Sequence, residues 1–175
     1  IQCASSITNI LIFKVCNSEI LDCCISDSGE IYKIFKSFFK NLSHTSNLSS
    51  SDISDNELCS FASETLGMDV FRGDLNDVYG RFCQLLCTSE TKAFARINGD
   101  SPFLDPRIID RAVDIYDSSE VDLVTNVFPR SFPKGQSIEI FKKNTFISVY
   151  GQNLSEFHRE HISSFFYEHH EDFGI

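Results

Sequence analysis

Apolar and polar positions alternate along this chain with two periods, and the switches between them divide it into strands and helices. Residues 1–4 read as the end of a strand, 5–13 as a polar-then-apolar loop, and 18–26 as a short helix. Residues 30–42 fit a helix through Ile31, Ile34, Phe35, Phe38, Phe39 and Leu42, although the Phe-rich end equally suits a strand. Residues 43–54 are rich in Ser, Asn and Asp and read as an exposed loop. Asp55 is placed to cap a helix that runs to Leu66 and stops at Gly67.

From there the pattern sharpens. Met68–Phe71 reads as a short strand ending in Arg72 and Gly73, and residues 75–87 as a helix with Val78, Phe82, Leu85 and Leu86 inward. Residues 93–98, apolar at nearly every position, predict a strand covered on both faces. Asp105 and Pro106 supply the cap and first residue of a helix over 106–117. Val121–Val127 and Ile138–Phe141 read as strands separated by a Pro/Gly loop, and helical spacing returns near 143–150 and 155–168. Alternation of strand and helix through residue 127 predicts βαβ units, hence an α/β protein with a mainly parallel sheet and a single domain over 1–175. The first residue is Ile1 rather than Met, and the chain is read as a fragment or a processed form.

Composition narrows the function classes. Hydrophobic residues make up 42%, enough for a real core. The 15 Lys and Arg stand against 25 Asp and Glu, a formal net charge of −10, which argues against nucleic acid or an anionic membrane as the main partner. A nucleotide needs only a local positive pocket and stays open. The seven cysteines lack CxxC spacing and sit mostly in apolar runs, so they read as buried thiols of a cytoplasmic protein without disulfides. There is no apolar run of membrane-spanning length and no signal-peptide pattern.

The chemistry centres on Arg96-Ile97-Asn98-Gly99-Asp100-Ser101-Pro102. Asp100 falls at the carboxyl end of the central strand, where open α/β sheets place ligands. A carboxylate beside a glycine suits a magnesium-nucleotide site, because the ion takes oxygen ligands and the glycine admits phosphates. An ordinary strand-turn-helix corner fits the same residues. His158 and His161 share a helix face but lack an HExxH pattern or a nearby cysteine, and read as surface histidines. Arg130, in the stiff loop 128–135, is suited to grip a carboxylate or phosphate by two hydrogen bonds.

Four blocks taken together resemble one family. "DVFRGDLNDVYGRF", "RINGDSPFLDP", "TNVFPRSFPKGQSIEIF" and "REHISSFFYE" follow the order found in spore-coat polysaccharide cytidylyltransferase-like proteins, relatives of the acylneuraminate and other CMP-sugar cytidylyltransferases. The resemblance implies a three-layer α/β/α, glycosyltransferase-A-like (Rossmann-like) fold. It implies transfer of CMP from CTP to a sugar acid or related sugar with Mg2+, for surface polysaccharide, and leaves room for a homodimer. By the same resemblance Lys14 and Asp100 are catalytic, Asp100 holds the metal, and Thr8, Arg72 and Gly99 bind the nucleotide with its ion. Asn126, Arg130, Glu139, Arg159, Glu160 and His161 would lie near the acceptor sugar. The family's opening signature, RxGSxRLPxK, is matched at residues 4–14 only by Lys14 and Thr8, and Ser137 stands where the family's GLDVE has Asp. The chain also stops before the family's closing segment. These departures give the alternative expectation, a catalytically degenerate homologue acting as a sugar-binding or interaction protein.

Overall fold

The computed structural model describes residues 10–15, 46–50, 59–60, 63–64, 69–98 and 103–175, the first two segments as backbone alone. The strands are β1 (Ile10–Val15), β2 (Ser46–Ser50), β3 (Asp69–Arg72), β4 (Ala93–Asn98), β5 (Leu123–Thr125) and β6 (Glu139–Lys142). The longer helices are α1 (Val78–Cys87), α2 (Pro106–Asp117) and α3 (Lys143–Tyr150), followed by two short ones, α4 (Glu156–Glu160) and α5 (Ser164–Glu168). These six described strands join in one sheet of order β3-β2-β1-β4-β6-β5.

The α/β class holds, and the sheet is mixed. β1 pairs in parallel with β2 and β4, and β2 with β3. β6 lies antiparallel between β4 and β5. The reason is the connection: no helix intervenes between β5 and β6, and a strand that returns without a crossover must come back antiparallel.

Two stretches read as loop contain strands. Ile10–Val15, within or beside the predicted loop 5–13, is the inner strand β1, and its β-branched, apolar run suits that place. Ser46–Ser50, inside the predicted loop 43–54, is β2 despite its polar sequence. Hydrogen-bonded neighbours on both sides override a weak strand propensity there. The predictions for 1–4, 18–26 and 30–42, and most of that for 55–66, fall outside the described residues.

Downstream the agreement is close. α2 begins at Pro106 with Asp105 as its cap. Hydrogen bonds from the Arg107 side chain and backbone hold the Asp105 carboxyl down at about 2. The strands predicted at 68–71 and 138–141 are each displaced by one residue, and 121–127 contracts to β5. Thr125 Oγ1 takes the Val127 amide at 3.0 Å and turns the chain out of the sheet. The helix predicted over 155–168 is broken between α4 and α5.

β4 shows why the sheet is covered on both sides. Phe94 packs into a cluster with Tyr79, Phe82, Phe141, Phe146 and Phe166. Ala93, Ala95 and Ile97 join a second cluster with Ile109, Ala112, Ile138 and Ile140. The first cluster is aromatic: Phe94 stacks on Phe141 at 5.3 Å and meets Phe146 edge-on at 4.9 Å. Each such fully buried ring contributes roughly 1.5–3 kcal/mol. The Tyr79 hydroxyl, driven far above its ordinary value chiefly by burial, donates to the Phe146 carbonyl at 2.9 Å.

Asp77 fastens the helices of this side together. Its Oδ1 accepts the Gly80 amide at 2.9 Å and caps α1. Its Oδ2 accepts the Tyr150 hydroxyl at 2.6 Å and Arg159 at 3.1 Å, joining α1 to α3 and α4. Cys59 and Cys83 are buried thiols and Cys87 an exposed one. Among the described residues no helix is long and apolar enough to cross a membrane.

Candidate functional site

A cavity of about 560 Å³ opens at the carboxyl ends of β4 and β5 and the start of β6. Its position follows from the topology. β4 and β5 both run toward it, and β6 starts from it in the opposite direction. Side chains at strand ends, free of the sheet, face such a crevice.

The floor is an ion pair. Arg96 and Glu139 are opposite each other in the β4–β6 register. The Arg96 guanidinium donates to Glu139 Oε2 at 2.5 Å and to Ser163 Oγ at 3.0 Å. The Tyr167 hydroxyl donates to Glu139 Oε1 at 2.5 Å and lies 3.1 Å from Thr125 Oγ1. Since Tyr167 gives its proton to the carboxylate, Thr125 must donate to Tyr167, and the hydrogen bonds run in one direction from β5 to β6. Burial first, then the Glu139 charge, pushes the Tyr167 phenol far above its ordinary value. Glu139 is 4% exposed, with both carboxylate oxygens engaged. It holds β4, β6 and α5 together rather than reaching outward.

The wall is the loop from Val127 to Ser137. Val127 and Arg130 form an isolated antiparallel bridge, with a cis peptide at Phe128–Pro129. Arg130 and Lys134 line the cavity, and the Arg130 guanidinium is 3.4 Å from Ser137 Oγ. Gly135 lines it too and has φ 90°, a backbone region that favours glycine. His161, Ser163 and Ser164 close the far side. Among the described residues of this lining Arg96, Arg130 and Lys134 outweigh the one acid, Glu139, within a chain of net charge −10.

The residues singled out from sequence divide as follows. Arg130, Glu139 and His161 line one cavity. Asn126 stands behind its wall, 6% exposed. Arg159 is turned to Asp77 and to the Tyr150 ring, whose centroid lies 5.3 Å from the guanidinium carbon. Glu160 is exposed, and neither it nor Arg159 is in the lining. Arg72 ends β3, at the edge of the sheet and three strands from β4. Lys14 has a described backbone on β1, opposite Ile97 of β4. Thr8, Gly99 and Asp100 lie outside the described residues.

Arg96, Asn98, Lys134, Ser163, Ser164 and Tyr167 line the cavity without having been given a role, although Arg96 and Asn98 stand in the 96–102 stretch and Lys134 in the 128–135 loop. Arg96 was legible: a charge inside an apolar strand needs a buried partner, and "SIEIF" offers Glu139 in the same situation. Asn98 Oδ1 is buried without a hydrogen-bond partner among the described residues, and Asn98 stands two residues before Asp100 in sequence. Among the described residues no group of three or more His, Cys, Asp and Glu is arranged to hold a metal ion.

Comparison with known proteins bears on what this cavity does. The family described as Cytidylyltransferase matches residues 43–174. A spore coat polysaccharide biosynthesis protein of Bacillus subtilis (strain 168) is 26% identical over 106 residues, covering 59% of this chain and 42% of that protein. An uncharacterized protein of Methanocaldococcus jannaschii is 29% identical over 112 residues, covering 64% of this chain and 43% of that protein. The chain therefore spans less than half the length of these two relatives. The structure of a cytidylyltransferase from Leptospira borgpetersenii superposes with a TM-score of 0.81 at 26% identity, covering 94% of this chain and 72% of that one.

Proposed function

The chain belongs to the cytidylyltransferase family, and from that premise we propose that it transfers CMP from CTP to a sugar, giving a CMP-sugar and pyrophosphate. The observation that carries this reading is the cavity at the strand ends, with Arg96, Arg130 and Lys134 around one immobilised acid. Such a lining suits an acceptor that carries hydroxyls and an anionic group. The name of the Bacillus subtilis relative supports surface polysaccharide as the destination of the product. Helices on both faces of β4 support the three-layer, glycosyltransferase-A-like form of the fold, in one domain.

In this reading the sugar hydroxyl attacks the α-phosphorus of CTP, and the bond to pyrophosphate breaks. Catalysis of that kind is mostly positioning and charge stabilisation. Arg130 and Lys134 draw in and orient the acceptor. Ser163 and Ser164 offer hydroxyls to its ring, and the His161 imidazole takes the proton of the attacking hydroxyl. Glu139 keeps Arg96 and Tyr167 fixed beneath it. Thr8, Lys14, Arg72 and Gly99 are assigned to the nucleotide half.

The oxygen donors of the Asn98–Asp100 segment are of a kind that suits a magnesium ion. The side-chain oxygen of Asn98, without a partner among the described residues, precedes Asp100 in sequence, and magnesium commonly takes one or two carboxylates with the rest from water and phosphate. Asp100 would hold it, and the bound ion would neutralise the triphosphate. A cytoplasmic location, where CTP is available, belongs to the same proposal.

The altered residues 4–14 favour a second reading, a binding protein that keeps the acceptor cavity without the transfer. Calorimetry separates the two. Titration with CTP and Mg2+ is expected to show saturable binding that is lost on omitting the ion. Absence of CTP binding with a sugar acid still bound favours the second reading.

A further inference from the structure

The loop that carries Arg130 and Lys134 is a partition between two cavities. Val127, Arg130, Lys134, Gly135 and Ser137 face the 560 Å³ cavity described above. Asn126, Ser131, Phe132, Gln136 and Ile138 face another of about 580 Å³, bounded by α2. On the side of the first cavity the Phe128 ring stacks on Tyr167 at 4.9 Å, and the Gly135 carbonyl accepts the Phe103 amide at 3.1 Å. Toward the second cavity, hydrogen bonds within the chain must tie the two ends of the loop together.

Asn126 does so with four hydrogen bonds. Its Nδ2 donates to the Gln136 carbonyl at 2.7 Å, and its Oδ1 accepts the Ile138 amide at 3.0 Å. Its own amide donates to the Ile138 carbonyl at 3.4 Å, and its carbonyl accepts the Ser131 amide at 3.1 Å. The side chain thus ties the start of the loop to backbone groups ten and twelve residues on. The site asks for a donor and an acceptor on one short, uncharged side chain at 6% exposure, which asparagine supplies. By contrast the Arg130 side chain meets the loop's far end through a 3.4 Å contact with Ser137.

We propose that Asn126 is a positioning residue: it clamps the 127–137 loop from the back cavity and so sets where Arg130 and Lys134 meet the acceptor, without touching the acceptor itself. The acceptor half of this statement rests on the transferase reading, and the clamp half does not. It gives Asn126 a different role from the substrate contact that the family resemblance implies.

The test compares the full chain with Asn126→Ala and Asn126→Asp. Asn126→Asp keeps the shape and the oxygen that accepts from Ile138 but removes the donor to Gln136. Hydrogen exchange at the Ser131 and Ile138 amides reads the clamp, and the β4 amides serve as the internal standard. Protection at Ser131 and Ile138 is expected to fall about tenfold or more in Asn126→Ala, which loses both side-chain hydrogen bonds, with β4 unchanged. Asn126→Asp is expected to fall between, and it carries the test should Asn126→Ala not fold. In turnover, KM for the acceptor is expected to rise about tenfold with KM for CTP within roughly twofold. Unchanged protection at Ser131 and Ile138 overturns the proposal, as does equal loss across β4. An acceptor KM that stays constant while the loop is released overturns the positioning role. Absence of turnover in the unmodified chain contradicts the transferase reading alone, since the amide readout does not depend on it.

Discussion

Arg96 and Glu139 face each other across β4 and β6, their charged groups in contact at 2.5 Å, with side chains 15% and 5% exposed. This pair is the hinge between fold and site. It joins two antiparallel strands, anchors α5 through Ser163 and Tyr167, and forms the floor of the cavity.

Removing one partner leaves the other charge buried and unpaired. Glu139→Ala is therefore expected to cost about 3 kcal/mol of stability in denaturant unfolding. The pair Arg96→Met with Glu139→Leu is expected to regain most of that loss, because two apolar side chains need no partners. A double variant as unstable as Glu139→Ala would show that the strands need the ion pair itself.

Gly80 lies within α1, where alanine normally stabilises by up to about 1 kcal/mol. Here a Cβ would stand 2.5 Å from Asp77 Oδ2 and 2.8 Å from the Tyr150 hydroxyl. Gly80→Ala is expected to destabilise by about 1–3 kcal/mol, as overpacked sites do. A rise in melting temperature would contradict the joint that Asp77 makes between α1, α3 and α4.

Burial, helped by Cys87 and Asp77, pushes the Cys83 thiol from its ordinary 9.0 up to about 12. Between those values the unfolded chain gives up a proton that the folded chain keeps, so rising pH favours unfolding. The melting temperature is expected to fall from pH 9 upward, less steeply in Cys83→Ala. At neutral pH a thiol reagent is expected to label exposed Cys87 well before Cys83. Equal labelling rates would contradict the packing of α1.

How much of this was legible in the sequence follows from where the signals were local. α2 announced itself by Asp105-Pro106, and β4 by its unbroken apolar run, because caps and buried strands write themselves into adjacent residues. β2 did not: Ser46–Ser50 is a strand through its neighbours' hydrogen bonds, which no window of sequence contains. The site divides in the same way. Arg130 stood out as a cation in a stiff loop, and it lines the cavity. Tyr167 sat unremarked in a Phe-rich helix, since its role depends on Glu139 twenty-eight residues away. Arg159 was expected near the acceptor through the family resemblance alone, and its partners prove to be Asp77 and Tyr150.

Arg130 supplies a prediction of its own. Arg130→Ala is expected to raise KM for the acceptor by about tenfold or more, the loss of a charge-assisted contact, while KM for CTP stays within roughly twofold. A larger effect on CTP than on the sugar would move Arg130 to the nucleotide half.

The most direct measurement is pyrophosphate release from CTP across a panel of sugar acids and neutral sugars, with and without Mg2+, for the unmodified chain and Asp100→Asn. The predicted result is release that requires CTP, Mg2+ and one class of acceptor. In Asp100→Asn it should fall by about 100-fold or more, as for loss of a group that stabilises transition-state charge, with little change in melting temperature. Equal release in both proteins, or none with any acceptor, would contradict the account.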